Sequence, residues 1–231
     1  MKFWKHKYEW SNRDDWALPD DEHMMQAQLE KCLDSQVEDV TDAVAAAGKE
    51  IPPRTVIQAG GAFGLYPLAI SRYFHRTITF EPLLENLQCM AVNIEGHPDI
   101  TVEEYPLWHT SNIAMEMTYS KPVKNSYGAH HLRAGGGHGQ SVTTVTIDQY
   151  ALHDVDLIWL DIEGAEVHAL RGAEKTIARC RPVVVVEDRA LPHMRSALDT
   201  AQGDAVRWMC DHWKYRKFGR TAGDMILVPN G

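Results

Sequence analysis

The chain has 231 residues, 44% of them hydrophobic, enough to bury a full core and to form one main domain with a small extension. A formal net charge of -9 and a pI near 5.7 leave no dominant basic surface, which argues against nucleic acid or an anionic membrane as the main partner. Four widely spaced cysteines, Cys32, Cys89, Cys180 and Cys210, form neither CxxC pairs nor a disulfide framework and fit reduced thiols in a cytoplasmic setting.

The N-terminal MKFWKHKYEW mixes bases with aromatics and lacks the apolar core of a secretion signal. No stretch is long and apolar enough for a membrane span, so a cytoplasmic protein is expected. Between Pro19 and Gly48, Met25, Leu29, Leu33, Val40 and Val44 recur at mostly helical spacing behind an acidic start at Asp20 and Asp21. Residues 1–53 are therefore expected to be a helical extension, and residues 54–231 the main domain.

From Thr55 the pattern alternates. The apolar runs TVIQA, TITF, DLIWLD and PVVVVE are separated by helical stretches over 65–74, 83–94 and 165–178. That alternation predicts repeated βα units around a mainly parallel sheet, an α/β fold. The segment AHHLRAGGGHGQ, with four clustered glycines, is expected to be an irregular loop. The chain closes with WKYRKFG, RTAG and DMILVP, two strands about a short turn and so an antiparallel hairpin. A parallel sheet with a C-terminal antiparallel hairpin is the Rossmann-like, class I methyltransferase arrangement.

The turn after TVIQA, with Gly60, Gly61 and Gly64, leads a strand into a helix. Unpaired backbone N–H groups and a positive dipole end collect there and attract anions or polar ligands. A phosphate-binding loop needs lysine and a hydroxyl residue after its last glycine, whereas Gly64 is followed by Leu65, Tyr66 and Pro67. A dinucleotide fingerprint begun at Gly60 meets Ala62 and Leu65 where glycines belong, which weakens an NAD-dependent oxidoreductase as an alternative. S-adenosylmethionine carries no phosphate and asks only for a tight glycine turn and a carboxylate for its ribose. Glu81, following TITF, stands at the separation that places an acid on a ribose in nucleoside-binding βαβ units.

The series VIQAGGAFG, TFEPLLENLQ, TIDQY, DLIWLDIEGAEVHALRGA and RPVVVVED, in that order over Thr55 to Asp188, resembles the FkbM-like family of S-adenosylmethionine-dependent methyltransferases. DIEGAE is its most specific segment. The resemblance implies cofactor contacts from Gly60, Gly64 and Glu81, with Pro82 shaping the turn and Asn86 on the next helix. Gly61, Phe63, Leu107, Trp108 and Asp161 complete the expected cofactor set, Trp108 packing on either adenine or the core. Three positions depart from the family pattern: Gln58 stands where an acid is usual, Ala62 where asparagine is usual, and Trp159 where lysine is common. Gln58, also expected in the cofactor set, can accept a hydrogen bond but brings no charge, so weaker cofactor affinity follows. The same departures support an alternative, a non-catalytic cofactor-binding or interaction protein on this fold.

Methyl transfer to oxygen needs in-line positioning and a base for the hydroxyl proton. Asp161 and Glu163, where DLIWLD passes into a helix, are the expected catalytic carboxylates. The rival role for either is capping that helix, and Glu166 divides evenly between the two. His130 and His131 are offered as bases on a closing lid, with His138 beside them and Asn125, Tyr127 and Gly128 approximating the family's Asn-x-Gly step. The pair could alternatively hold a divalent cation that binds a substrate diol, but two acids without further sequence-defined ligands are a weak metal signal, and no metal is assigned. Glu187 ends its strand at the pocket edge or faces water, and His168 is expected to be structural. The acceptor is expected to be a small hydroxylated molecule such as a sugar or glycoconjugate, as the resemblance suggests.

Overall fold

The structure is a computed structural model and describes residues 1–11, 13–19, 24–119, 130–135, 139–187 and 198–230, with the side chains of 24–30 and of Tyr119 excepted. The expected acidic helix start at Asp20 and Asp21, the side chains of Met25 and Leu29, the Asn125–Gly128 step and His138 lie outside what is described.

The core is a seven-stranded sheet. Strands β3 (Thr55–Ala59), β4 (Arg76–Phe80), β5 (Ile100–Glu103), β9 (Val155–Leu160) and β10 (Val183–Val186) run parallel. The hairpin β11 (Tyr215–Thr221) and β12 (Asp224–Pro229) joins antiparallel through β12. The order is β11-β12-β10-β9-β3-β4-β5, the class I methyltransferase arrangement with its C-terminal hairpin. Every residue of β3, β9 and β10 is buried, as strands covered on both faces must be.

Alternation along the strands splits the core into two layers. Val56, Leu157, Trp159, Val183 and Val185 face α1 (Met24–Ala46), α2 (Leu65–Ser71) and α3 (Leu84–Asn93). Ile57, Ala59, Ile158, Leu160, Val184 and Val186 face α4 (Glu166–Arg171), α5 (Glu174–Cys180) and α6 (Asp204–Trp213). The helix expected over 165–178 is thus two helices, broken at Gly172, where a Cβ would lie 2.2 Å from the Trp108 carbonyl oxygen.

Two parts correct the sequence reading. The N-terminus is a hairpin before it is a helix: β1 (Lys2–Lys5) pairs antiparallel with β2 (Asp15–Leu18), and Trp16, Ala17 and Leu18 share the core of α1 and α2. AHHLRAGGGHGQ is not all loop: β7 (His130–Ala134) and β8 (Gln140–Thr143) flank β6 (Ala114–Tyr119) in a three-stranded antiparallel sheet. Backbone pairing to β6 supplies the order that the glycines alone would deny. Leu132, Met115 and Met117 of this small sheet join Leu83, Trp108, Ala165 and Leu198 in a third apolar cluster above the end of the main sheet.

Candidate active site

The chain leaves β3 toward β4 and β5, then returns to β9 on the other side of β3. This reversal opens a crevice beyond the carboxyl ends of β3 and β9, where open α/β sheets bind ligands. A pocket lies there, bounded by Gly60 and Ala62 after β3, Glu81, Pro82 and Asn86 after β4, Leu107 after β5, and Asp161, Ile162 and Glu163 after β9. Met117, His130 and Leu132 of the small sheet form its roof.

The turn after β3 is tied down by its backbone. Gly60 and Gly61 both donate N–H to the Phe80 carbonyl, at 3.1 and 3.3 Å, and Gly64 donates to Gly61 at 2.8 Å. Gly60 has a φ of +84°, and a Cβ there would lie 1.9 Å from the Asp161 carbonyl oxygen, so only glycine lets the two strand ends meet. Gly61 and Gly64 do not line the pocket. A Cβ on either would strike Met90 of α3 at 2.8 Å, so they set how closely the turn and α3 approach.

Glu81 is 4% exposed, and its carboxylate accepts the Ala62 N–H at 2.8 Å and the Leu83 N–H at 2.9 Å. Burial lifts its pKa to about 7, against the pull of those two N–H groups and the Asn86 amide. Asn86, itself 1% exposed, keeps a buried side-chain oxygen with no hydrogen-bond partner. A pocket wall with a partly used carboxylate and an orphaned amide oxygen fits a ligand that presents hydroxyl or amino donors.

Across the pocket, Glu163 has a φ of +55° and Gly164 of +102°, a left-handed pair that re-aims the chain after β9. Glu166 holds that turn: its carboxylate accepts the N–H groups of Ile162 at 3.0 Å and Gly164 at 3.2 Å. The capping role thus falls to Glu166, leaving Asp161 and Glu163 facing the pocket. Side-chain oxygens of Asp161, Glu163 and Glu187 lie within 4.8 Å of one another, close enough to share a proton or a cation. Burial, and then the Glu187 carboxylate, push the Asp161 pKa well above the usual range.

Of the expected residues, Gly60, Glu81, Pro82, Asn86, Leu107, Asp161, Glu163 and His130 come together around one pocket. Others do not. Gln58 is 2% exposed on the α1–α3 side of the sheet, where it accepts the Thr79 hydroxyl at 2.5 Å; strand parity turns it away from the pocket that Ala59 reaches. Phe63 is buried in that same helical layer. Trp108 stacks on His168 at 3.9 Å in the third apolar cluster rather than lining the pocket. His131 is buried on the face of β7 opposite His130. Trp159 packs edge-on against Tyr66 within the core. Tyr66, Tyr105 and Met117 line the pocket without having been expected there. For Tyr66 the helical spacing after Gly64 was a usable signal; for Met117 the strand that carries it was not recognised.

No curated protein matches this sequence. Among solved structures, the chain is similar to the methyltransferase FkbM of Methylobacillus flagellatus KT, at 18% identity and a TM-score of 0.50, over 78% of this chain and 44% of that one. It is also similar to a Staphylococcus aureus structure named as a caffeoyl-CoA O-methyltransferase, at 10% identity and a TM-score of 0.50, over 84% of this chain and 82% of that one. At such identities the likeness is one of fold, and this chain spans less than half the length of the Methylobacillus protein. In sequence, residues 58–216 match the methyltransferase FkbM domain, a span that takes in the Gly60 turn, Glu81 and the Asp161–Glu163 segment. With more than half its length matched, the chain belongs to the FkbM methyltransferase family.

Proposed function

We propose that the protein is an S-adenosylmethionine-dependent methyltransferase that methylates a hydroxyl oxygen of a small molecule such as a sugar or glycoconjugate. The observation that carries this reading is the facing of two acidic walls across one crevice: Glu81 with Asn86 on one side, Asp161 with Glu163 on the other. Glu81 and Asn86 would hold the ribose hydroxyls of the cofactor, the orphaned Asn86 oxygen accepting one of them. Gly60 and Ala62 would admit its amino-acid part to the turn. Bound there, the cofactor supplies an electrophilic methyl group on a sulfonium.

The remaining work belongs to the chain. Asp161, whose carboxyl burial and Glu187 push toward the protonated form, orients the acceptor oxygen. Glu163, on the same wall, receives the hydroxyl proton. Met117 and Leu132 roof the pocket with apolar surface and limit water. The neutral residue at Gln58 lies in the core, so its lack of charge does not bear on the pocket directly, which favours a working site over a lapsed one. The test is a screen of hydroxylated acceptors with methyl-labelled S-adenosylmethionine. Label transfer to an acceptor oxygen, lost in Glu163→Gln with cofactor binding retained, supports the reading; transfer that is unaffected by the substitution contradicts Glu163 as the base.

A further inference from the structure

Asn93, the last residue of α3, touches neither the pocket nor the sheet's acidic edge, yet its side chain ties two distant parts of the chain to one point. Its amide nitrogen donates to the Phe63 carbonyl of the glycine turn at 2.7 Å and to the Ala17 carbonyl of β2 at 2.9 Å. Its oxygen accepts the Ala17 N–H at 2.7 Å. Asn93 is 1% exposed, so three buried backbone groups depend on this single amide. The N-terminal hairpin is seated on the same corner by Arg13, whose guanidinium donates to the carbonyls of Val92 at 2.6 Å and Asn93 at 3.2 Å and lies over the Trp16 ring. The hairpin lies outside the span matched to the family domain.

We infer that Asn93 is a positioning residue through which the N-terminal hairpin holds the glycine turn in its binding-competent shape. The inference rests on the reading that this turn holds S-adenosylmethionine. Physically, Asn93 fixes the Phe63 carbonyl one residue beyond Ala62, whose φ is +45° and whose N–H is donated to Glu81, so the anchor and the pocket contact share one short turn. With Asn93 gone, the turn keeps its glycines but loses its outer anchor. A hairpin that loosens at Arg13 would then be felt in the pocket although none of the hairpin's described residues lines it.

The test compares the full chain with Asn93→Ala, Arg13→Ala and Lys5→Ala, the last removing only an exposed ion pair to Asp14. S-adenosylhomocysteine is titrated calorimetrically, circular dichroism reports folding, and hydrogen exchange is followed at Ala62 to Leu65. The expected result is at least a tenfold loss of affinity in Asn93→Ala, a twofold to fourfold loss in Arg13→Ala, no change in Lys5→Ala, and faster exchange in the turn for the first two. In the double variant, Arg13→Ala should add nothing further, because its path to the turn has been cut. If Asn93→Ala does not fold, Arg13→Ala alone decides. Folded variants that bind and exchange like the parent overturn the inference. A parent chain that does not bind the probe defeats the cofactor reading, while hydrogen exchange still decides whether Asn93 anchors the turn.

Discussion

At the scale of single residues, Glu81 is the most informative group. Its pKa near 7 lies above the ordinary carboxylate value, so the folded state holds a proton that the unfolded chain releases near pH 4.5. Its contribution to folding therefore declines as pH rises from about 4.5 through about 7. Binding should run the other way, because ribose hydroxyls are better held by an ionised acceptor. Affinity for S-adenosylhomocysteine is expected to rise severalfold between pH 6 and 8, and Glu81→Gln should flatten that profile; calorimetry in matched buffers reads both. Gly60→Ala should be more severe, combining a left-handed backbone with a 1.9 Å clash on Asp161, and a loss of affinity of at least a hundredfold or a failure to fold is expected. The acids at strand ends were legible in the sequence because a strand running into a turn puts its last residues at the ligand edge. Gln58 and Phe63 fall outside the pocket lining for a related reason: which face of a strand or turn meets the pocket depends on packing that a motif does not encode. Trp108 was open between ligand and core, and the structure stacks it on His168 in the third apolar cluster.

Among the elements, the small sheet is the part least visible in the sequence and most important for the pocket roof. A glycine-rich segment reads as loop until its partner is known, and β6 is that partner. Gln140 of β8 pins the roof to the cofactor side: its amide donates to the Pro82 carbonyl at 2.6 Å and its oxygen accepts the Leu84 N–H at 3.1 Å. Gln140→Ala removes two exposed hydrogen bonds, each worth about 1 kcal/mol at most. It should speed release of S-adenosylhomocysteine severalfold in stopped-flow measurements while barely moving the melting temperature. The Glu166 cap on the Ile162–Gly164 turn gives a second prediction. Glu166→Ala should lower turnover more than cofactor affinity, and Glu166→Gln, which keeps the acceptor oxygen, should restore much of it.

For the whole molecule, the mainly parallel sheet was legible in the alternation of apolar runs and helical stretches, and the terminal hairpin in its two strands about a short turn; the strand order was not. Nor was the N-terminal hairpin, because its aromatics look alike whether they cover a core or lie on a surface. A buried ion-pair cluster lies at the opposite end of β9 from the pocket. There Asp156, fully buried, meets Arg54 at 2.8 Å and Lys49 at 3.8 Å. Burial raises its pKa, but hydrogen bonds from the Arg54 side chain and backbone and the charges of Arg54 and Lys49 outweigh it, leaving Asp156 below its ordinary value. Its stabilising effect is thus complete above the ordinary aspartate pKa and is lost as pH falls through the depressed one. Asp156→Ala should cost about 3 kcal/mol in urea unfolding while leaving cofactor affinity of the folded protein unchanged. No helix among the described residues is long and apolar enough to cross a membrane.

The most direct measurement is calorimetric titration of the purified chain with S-adenosylmethionine, S-adenosylhomocysteine and NAD, repeated on Glu81→Ala. Binding of the first two but not of NAD, weakened at least tenfold by the substitution, is the result expected of a pocket built on the Gly60 turn and Glu81. Absence of binding by either adenosyl ligand, or binding indifferent to Glu81, would contradict it.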